Sequence, residues 1–419
     1  MQRYYSPLLL ALLGLILLTA CAAPPAAPVA DPVAVTQDAD APVAGTTASA
    51  PTANLTDGCV DAFDATVDYF PEKISLTHTA GFTIEYHNSY KVVTVATPWP
   101  GAEAAQQYVL VQCGAPAPEG FGDAQIIDVP VKSIVTMSTT YLPFLEAYGV
   151  LDRLVGVDDV TYVNNPTVLA MAEAGKLAQI GYGASVNVEQ LLDLAPALVM
   201  TYGSGSPDAD AHPVLLNAGL KVAVNAEWLE TSPLGRAEWG KFMAIFFNKE
   251  ATAEALFTDT VTHYEELKAQ AAAVSTKPTV FTDSAYQGSW YVAGGRSFTA
   301  QLLADAGAAY LWADDESTAS IPLAFEAIFD KAADADYWIN VGYVNSLQEL
   351  QAADERYTDF AAFQAGNVWN NNKHQNANGG NDYYESAVAH PDAVLADLIA
   401  IFHPELLPDH AFVYYQKLQ

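Results

Sequence analysis

The sequence predicts an α/β protein: two doubly wound α/β lobes linked by a single long helix, with an N-terminal β-hairpin-rich extension. Three observations carry that reading. After Pro130, short apolar strands alternate with helical stretches, a pattern that implies parallel pairing. The alternation stops over 233–275, where apolar residues recur at helical spacing (Leu256, Phe257, Val261, Tyr264, Leu267) above a charged face. It then resumes over 276–419.

In the extension, Phe82–Tyr86 alternates, Asn88-Ser89 reads as a turn, and Tyr90–Val95, Tyr108–Gln112 and Ile126–Val129 continue as strands. In the first lobe, strands are expected at Ser133–Met137, Leu154–Val157, Ala197–Thr201 and Lys221–Val224, with helices at Leu142–Tyr148 and Val188–Leu194. Ser232-Pro233 opens the linking segment, since serine caps a helix and proline suits its first turn; Asn248 is a candidate break, and a second stretch runs from Ala251 to Ala272. The second lobe offers strands at Thr279–Thr282, Ala309–Trp312, Tyr337–Asn340 and Val368–Asn370. Its helices are expected at Phe298–Ala306, Phe325–Ala333 and Ala393–Phe402, the last stopped by Pro404.

The first twenty residues are excluded from the fold. A weakly basic start precedes an apolar run from Leu8 to Leu18 that is short for a membrane span. Leu18-Thr19-Ala20-Cys21 resembles a lipoprotein cleavage box, which implies acylation of Cys21; an ordinary secretory signal is the alternative. Either places the chain outside the cytoplasm. Residues 21–56, rich in Ala, Pro, Val and Thr, have no aromatic or basic residue. They are expected to form a disordered tether, with a mean reach of about 30–35 Å.

Composition excludes several functions. With 49 acidic and 17 basic residues, the net charge of −32 argues against nucleic acid and against electrostatic attachment to anionic lipid. If Cys21 is acylated, Cys59 and Cys113 remain as an even pair in an oxidising compartment, and a disulfide is the expected reading; two separate thiols are the alternative. The eight histidines are scattered without close ligand pairs, and no nucleophile elbow or phosphate loop is present.

The lobes share a signature. Val186–Leu192 places Glu189 in the first turn of a helix that leads into the strand at Ala197–Val199, and Leu323–Ile328 places Glu326 similarly ahead of Tyr337–Ile339. With Ser232–Trp239, Gly294–Phe298 and Gly379–Tyr383 in the same order, residues 130–415 resemble the substrate-binding proteins of ABC importers for iron–siderophore complexes, haem and cobalamin. The resemblance implies that Glu189 and Glu326 dock with arginine pockets on a permease dimer driven by its ATPase, and that closure on cargo is small. First-turn glutamates that only complement the helix dipole are the plainer reading. One departure is Ala324, where the family usually caps with Ser or Thr.

The cargo site is expected where strand ends of both lobes face the cleft. The candidates are Thr140, Tyr141, Tyr162, Tyr202 and Trp228 on the first lobe, and Tyr286, Trp290, Arg296, Tyr343 and Asn371 on the second. Flat aromatic faces suit a large metal chelate, and Arg296 is the candidate partner for a negative group. Scarce lysine and arginine near these loops disfavour a strongly anionic catecholate. The expected organisation is a leader (1–20), tether (21–56), extension (57–129), first lobe (130–232), linking segment (233–275) and second lobe (276–419). The expected function is a monomeric, lipid-anchored, non-enzymatic carrier of an iron–siderophore-type chelate, without a resident cofactor or metal. A cobalamin or haem carrier is the alternative. An extracytoplasmic enzyme using Glu227 and Glu230, or an adhesive lipoprotein, are rivals from other classes.

Overall fold

The computed structural model describes residues 50–122 and 124–419; the expected leader, Cys21 and most of the tether lie outside the described residues. The extension forms one sheet from β1 (Phe82–Tyr86), β2 (Tyr90–Val95), β3 (Gln106–Gln112) and β4 (Gln125–Val129), in that order. Its first two pairings are antiparallel, and β3 and β4 are parallel. The alternation in β1 buries Phe82, which meets Phe242 of the linking segment at 5.3 Å between ring centroids. Val93, Val95, Tyr108, Leu110 and Ile127 join the same core, so the extension and first lobe share one apolar interior. A bond between Cys59 and Cys113 ties the chain entering the extension to the end of β3.

The first lobe comprises β5 (Ile134–Thr136), α1 (Leu142–Ala147), β6 (Leu154–Val157), α2 (Pro166–Glu173), β7 (Ala178–Gln179), α3 (Val188–Leu194), β8 (Leu198–Thr201), α4 (His212–Asn217) and β9 (Val222–Val224). Its five strands are all parallel, in the order β7-β6-β5-β8-β9. The order in which strands are added reverses at β5, the switch point beside which α/β sheets bind ligands. The exposed edge of β9 is closed by the Gln125 side chain, which donates to Val222 O at 2.5 Å and accepts from Val222 N at 2.8 Å.

The linking segment is two helices, α5 (Pro233–Ala244) and α6 (Glu250–Ala272). Ser232 caps α5 by accepting from Gly235 N at 3.0 Å. The break falls at Asn248, whose φ of 55° is left-handed, a conformation asparagine tolerates better than most residues.

The second lobe contains β10 (Thr279–Thr282), β11 (Ala285–Tyr286), β12 (Ser289–Val292), α7 (Phe298–Asp305), β13 (Ala309–Tyr310), β14 (Ile321–Leu323), α8 (Phe325–Ala332), β15 (Tyr337–Ile339), α9 (Leu347–Ala353), α10 (Ala361–Gln364), β16 (Val368–Asn370), α11 (Asp382–Glu385), α12 (Pro391–Phe402) and β17 (Gln416–Lys417). Its main sheet runs β13-β10-β15-β16-β17, parallel except for β17. A small antiparallel sheet, β11-β12-β14, turns at Gln287-Gly288, both at positive φ as a tight hairpin requires. The expected strand at 309–312 stops at Tyr310. Among the described residues no helix is long and apolar enough to cross a membrane.

Candidate functional site

Strand ends of both lobes converge on one cleft with two compartments. The inner one, of about 600 Å³, takes Ser138, Thr140 and Tyr141 from beyond β5, Tyr202 and Ser204 from beyond β8, and Glu227 and Trp228 from beyond β9. Phe298 and Leu302 of α7, with Val388 and Val394, close it with apolar surface. The outer one, of about 620 Å³, is lined by Tyr162, Asp283, Tyr286, Asn340, Tyr343 and Asn371, among others. Tyr384 borders both compartments, so they adjoin at this residue.

Eight expected ligand contacts lie in these walls: Thr140, Tyr141, Tyr202 and Trp228 in the inner compartment, and Tyr162, Tyr286, Tyr343 and Asn371 in the outer. Two do not. Trp290 is fully buried, stacked on Trp338 and tilted against Phe281, and its indole N–H donates to Thr282 O at 2.9 Å. Strand alternation explains it: in β12 Trp290 and Val292 turn into the core while Tyr291 turns outward. Arg296 lies on the surface and pairs with Glu316 at 2.5 Å, away from both compartments.

The cleft's arginine is Arg236, on the first turn of α5. It donates through Nη2 and Nε to Glu227 Oε2 at 2.7 and 3.1 Å, and its guanidinium lies 4.4 Å from the Phe298 ring centroid. Ser232-Pro233 signals a helix start that projects this side chain one turn on, a clue present in the sequence. Glu227 is therefore committed to an ion pair. Glu230 accepts from Trp239 Nε1 at 2.9 Å and from the Thr79 hydroxyl, so it anchors the extension. Tyr383 and Tyr384 follow the Gly379-Gly380-Asn381-Asp382 turn and were not expected in the cleft.

That turn also bridges the lobes. Asn376 Nδ2 donates to Thr161 O and Val163 O, both at 3.1 Å. Glu385 accepts from Asn164 N at 2.6 Å and Asn165 N at 2.8 Å. A Cβ at Gly380 would meet Tyr162 O at 2.4 Å, so only glycine allows this approach.

Three carboxylates, buried Glu385 and half-buried Asp158 and Asp283, share an electrostatic character. Burial pushes Asp158 and Asp283 up to about 6 and Glu385 up to about 7, in each case against opposing hydrogen bonds. Between the unfolded and folded pKa values the native state holds more protons than the unfolded chain. Their contribution to stability is thus complete below the unfolded pKa and is lost as pH rises through about 6–7. Urea unfolding is expected to show about 1–3 kcal/mol more stability at pH 5.5 than at pH 8. Glu385→Gln should remove most of the difference; an unchanged pH slope in that variant would refute the assignment.

Glu189 and Glu326 lie exposed in the first turns of α3 and α8. Asn187 caps α3 by accepting from Gln190 N at 3.0 Å, whereas Ala324 gives α8 no side-chain cap. Glu326 has Arg356 at 3.6 Å.

A family model described as periplasmic binding protein matches residues 134–371, more than half of the chain. Two uncharacterized lipoproteins of Methanocaldococcus jannaschii are similar. One is 26% identical over 338 residues, 75% of each chain; the other is 27% identical over 326 residues, 75% of this chain and 80% of the relative. Among solved structures, a periplasmic binding protein from Veillonella parvula aligns with TM-score 0.53 and 14% identity, covering 78% of this chain and 99% of its own. A periplasmic heme-binding protein from Roseiflexus sp. RS-1 aligns with TM-score 0.50 and 19% identity, covering 66% and 99%. An ABC transporter substrate-binding protein from Listeria monocytogenes gives 0.50 and 16%, covering 65% and 99%. These likenesses speak for the fold, and the family match spans both walls of the cleft: the chain belongs to the periplasmic binding protein family.

Proposed function

We propose that the protein captures an iron–siderophore-type metal chelate outside the cytoplasm and delivers it to an ABC permease dimer, with Cys21 as its lipid anchor. The observation that carries this is the interlobe cleft, whose two adjoining compartments of about 600 and 620 Å³ fall in the usual size range of small-molecule sites and are walled by tyrosines and Trp228. Among the described residues the only arginine in the walls is already neutralised by Glu227, which favours a chelate of low or positive charge over a catecholate. The cross-lobe hydrogen bonds that Glu385 accepts and Asn376 donates support small closure. A corrinoid or haem carrier is the second reading, favoured by the apolar side of the inner compartment at Phe298, Leu302, Val388 and Val394.

Trp228 is 40% exposed at the cavity wall, whereas Trp239, Trp290 and Trp338 are buried. Intrinsic fluorescence should therefore report on the site. Saturable quenching by a ferric hydroxamate, at micromolar or tighter affinity, is expected and should be lost in Trp228→Phe. Saturation by cobalamin or haem alone would move the second reading to the front. Silence towards ferric hydroxamate, catecholate, citrate, haem and cobalamin would overturn the carrier reading.

A further inference from the structure

The outer compartment has a chemistry of its own. Asp283 follows the last residue of β10, and Asn340 follows the last residue of the adjacent β15. Both have left-handed φ, at 68° and 58°, and both line the compartment. Such backbone is rare outside glycine and concentrates at binding sites. Asp283 is held rigidly: its N–H donates to Ile339 O at 3.1 Å and its carbonyl accepts from Trp338 Nε1 at 2.7 Å. Its carboxylate accepts from the Thr282 hydroxyl at 2.6 Å and, among the described residues, has no cationic partner.

Around this carboxylate the surface is aromatic. Tyr162, Tyr286, Tyr343 and Tyr384 line the compartment and remain 53–84% exposed. The charged residues in the two compartments are Glu227, Asp283 and Arg236. The first is paired with the third, so Asp283 is the one uncompensated charge on the walls among the described residues. An uncompensated carboxylate costs desolvation energy that a bound cation recovers. Tyrosine faces attract the same kind of group through their ring quadrupoles.

We infer that the outer compartment is a cation-accepting subsite, in which Asp283 and the faces of Tyr343 and Tyr384 take a positively charged ammonium arm of the cargo. The inference rests on the cleft being the cargo site, and it adds a charge class to that cargo. The inner compartment then holds the bulk of the complex against apolar and tyrosine surface.

Three ferric trihydroxamates with one chelating core supply the test: a pendant ammonium, its neutral acetylated form and its anionic succinylated form. With the full chain in detergent, the cationic form should bind about tenfold tighter than the neutral one, and the anionic form weaker still. Asp283→Asn keeps the left-handed backbone and should collapse the gap while retaining the neutral ligand. Tyr343→Ala, at a residue 84% exposed, should narrow the gap without affecting folding. Equal affinity for all three chelates would overturn the subsite and leave the chelate reading standing. Should none bind, the chelate reading falls, and tetramethylammonium decides the subsite by direct titration. Binding that is lost in Asp283→Asn would support it, and no binding would overturn it.

Discussion

Lys91→Met is expected to destabilise the protein by about 3–5 kcal/mol, the cost of leaving one member of a buried ion pair without its partner. Lys91 is the second residue of β2, fully buried, with its Nζ 2.6 Å from Glu250 Oε1 and fully buried Glu250 opening α6. The same Nζ donates to Ile245 O at 2.6 Å and to Asn248 Oδ1 at 2.8 Å, and lies 4.6 Å from the Phe70 ring centroid. All three hydrogen atoms of the ammonium are therefore matched with acceptors. Burial holds the Lys91 pKa below its usual value, opposed by Glu250. In the variant Glu250 keeps only Asn54 Nδ2, at 2.9 Å, as a side-chain donor. Urea unfolding at pH 7 measures the loss. Pairing Lys91→Met with Glu250→Leu should recover much of it, since two apolar groups leave no stranded charge. A single-variant cost below about 1 kcal/mol would show that water reaches the pair, against this account.

The effect should reach the cleft. The β2–β3 loop carries Trp99, which stacks on His212 at 4.4 Å between centroids. A Cβ at Gly203 would lie 2.8 Å from the Trp99 ring, so the extension packs directly on the Tyr202–Ser204 loop of the inner compartment. Loosening the sheet at Lys91 should therefore weaken cargo binding as well as stability.

That link was not legible in the sequence, and the reason is physical. The strands of the extension announce themselves by alternation, but alternation identifies a buried face without naming what covers it. Lys91 reads as a polar break in an apolar strand; only the fold brings it to Glu250, 159 positions away. The lobes were more legible because β5, β8, β10 and β15 are short apolar runs set between helical stretches. Helices α10 and α11, four residues each, carry too few turns for a periodic signal. At the site, strand ends predicted the walls well, since chain topology places them in the cleft. Trp290 was misplaced by one step of strand alternation. Arg296 was expected in the cleft, but it stands in the loop between β12 and α7 and is drawn outward by Glu316, whereas Arg236 in the first turn of α5 lines the inner compartment.

Replacing both Glu189 and Glu326 with lysine is expected to reduce uptake in cells by more than a hundredfold while leaving cargo affinity unchanged. Each carboxylate stands on the first turn of a helix, one per lobe, and each is far more exposed than the cleft carboxylates. Removing a carboxylate that meets a basic pocket typically costs at least tenfold in binding, and reversal adds repulsion. The two sites should not be equivalent. Arg356, 3.6 Å from Glu326, is itself held by Asp354 at 2.7 Å and lies 3.8 Å from the Phe325 ring centroid. Part of the Glu326 charge is thus already offset within the protein, whereas among the described residues Glu189 has no such cation beside it. Glu189→Ala should therefore reduce uptake more than Glu326→Ala. Arg356→Ala should leave uptake unchanged or raise it by freeing Glu326. Transport of a radiolabelled chelate, with fluorescence titration as the affinity control, measures both quantities. Undiminished uptake in the double lysine variant would sink the docking assignment and leave the two glutamates as helix-dipole partners alone.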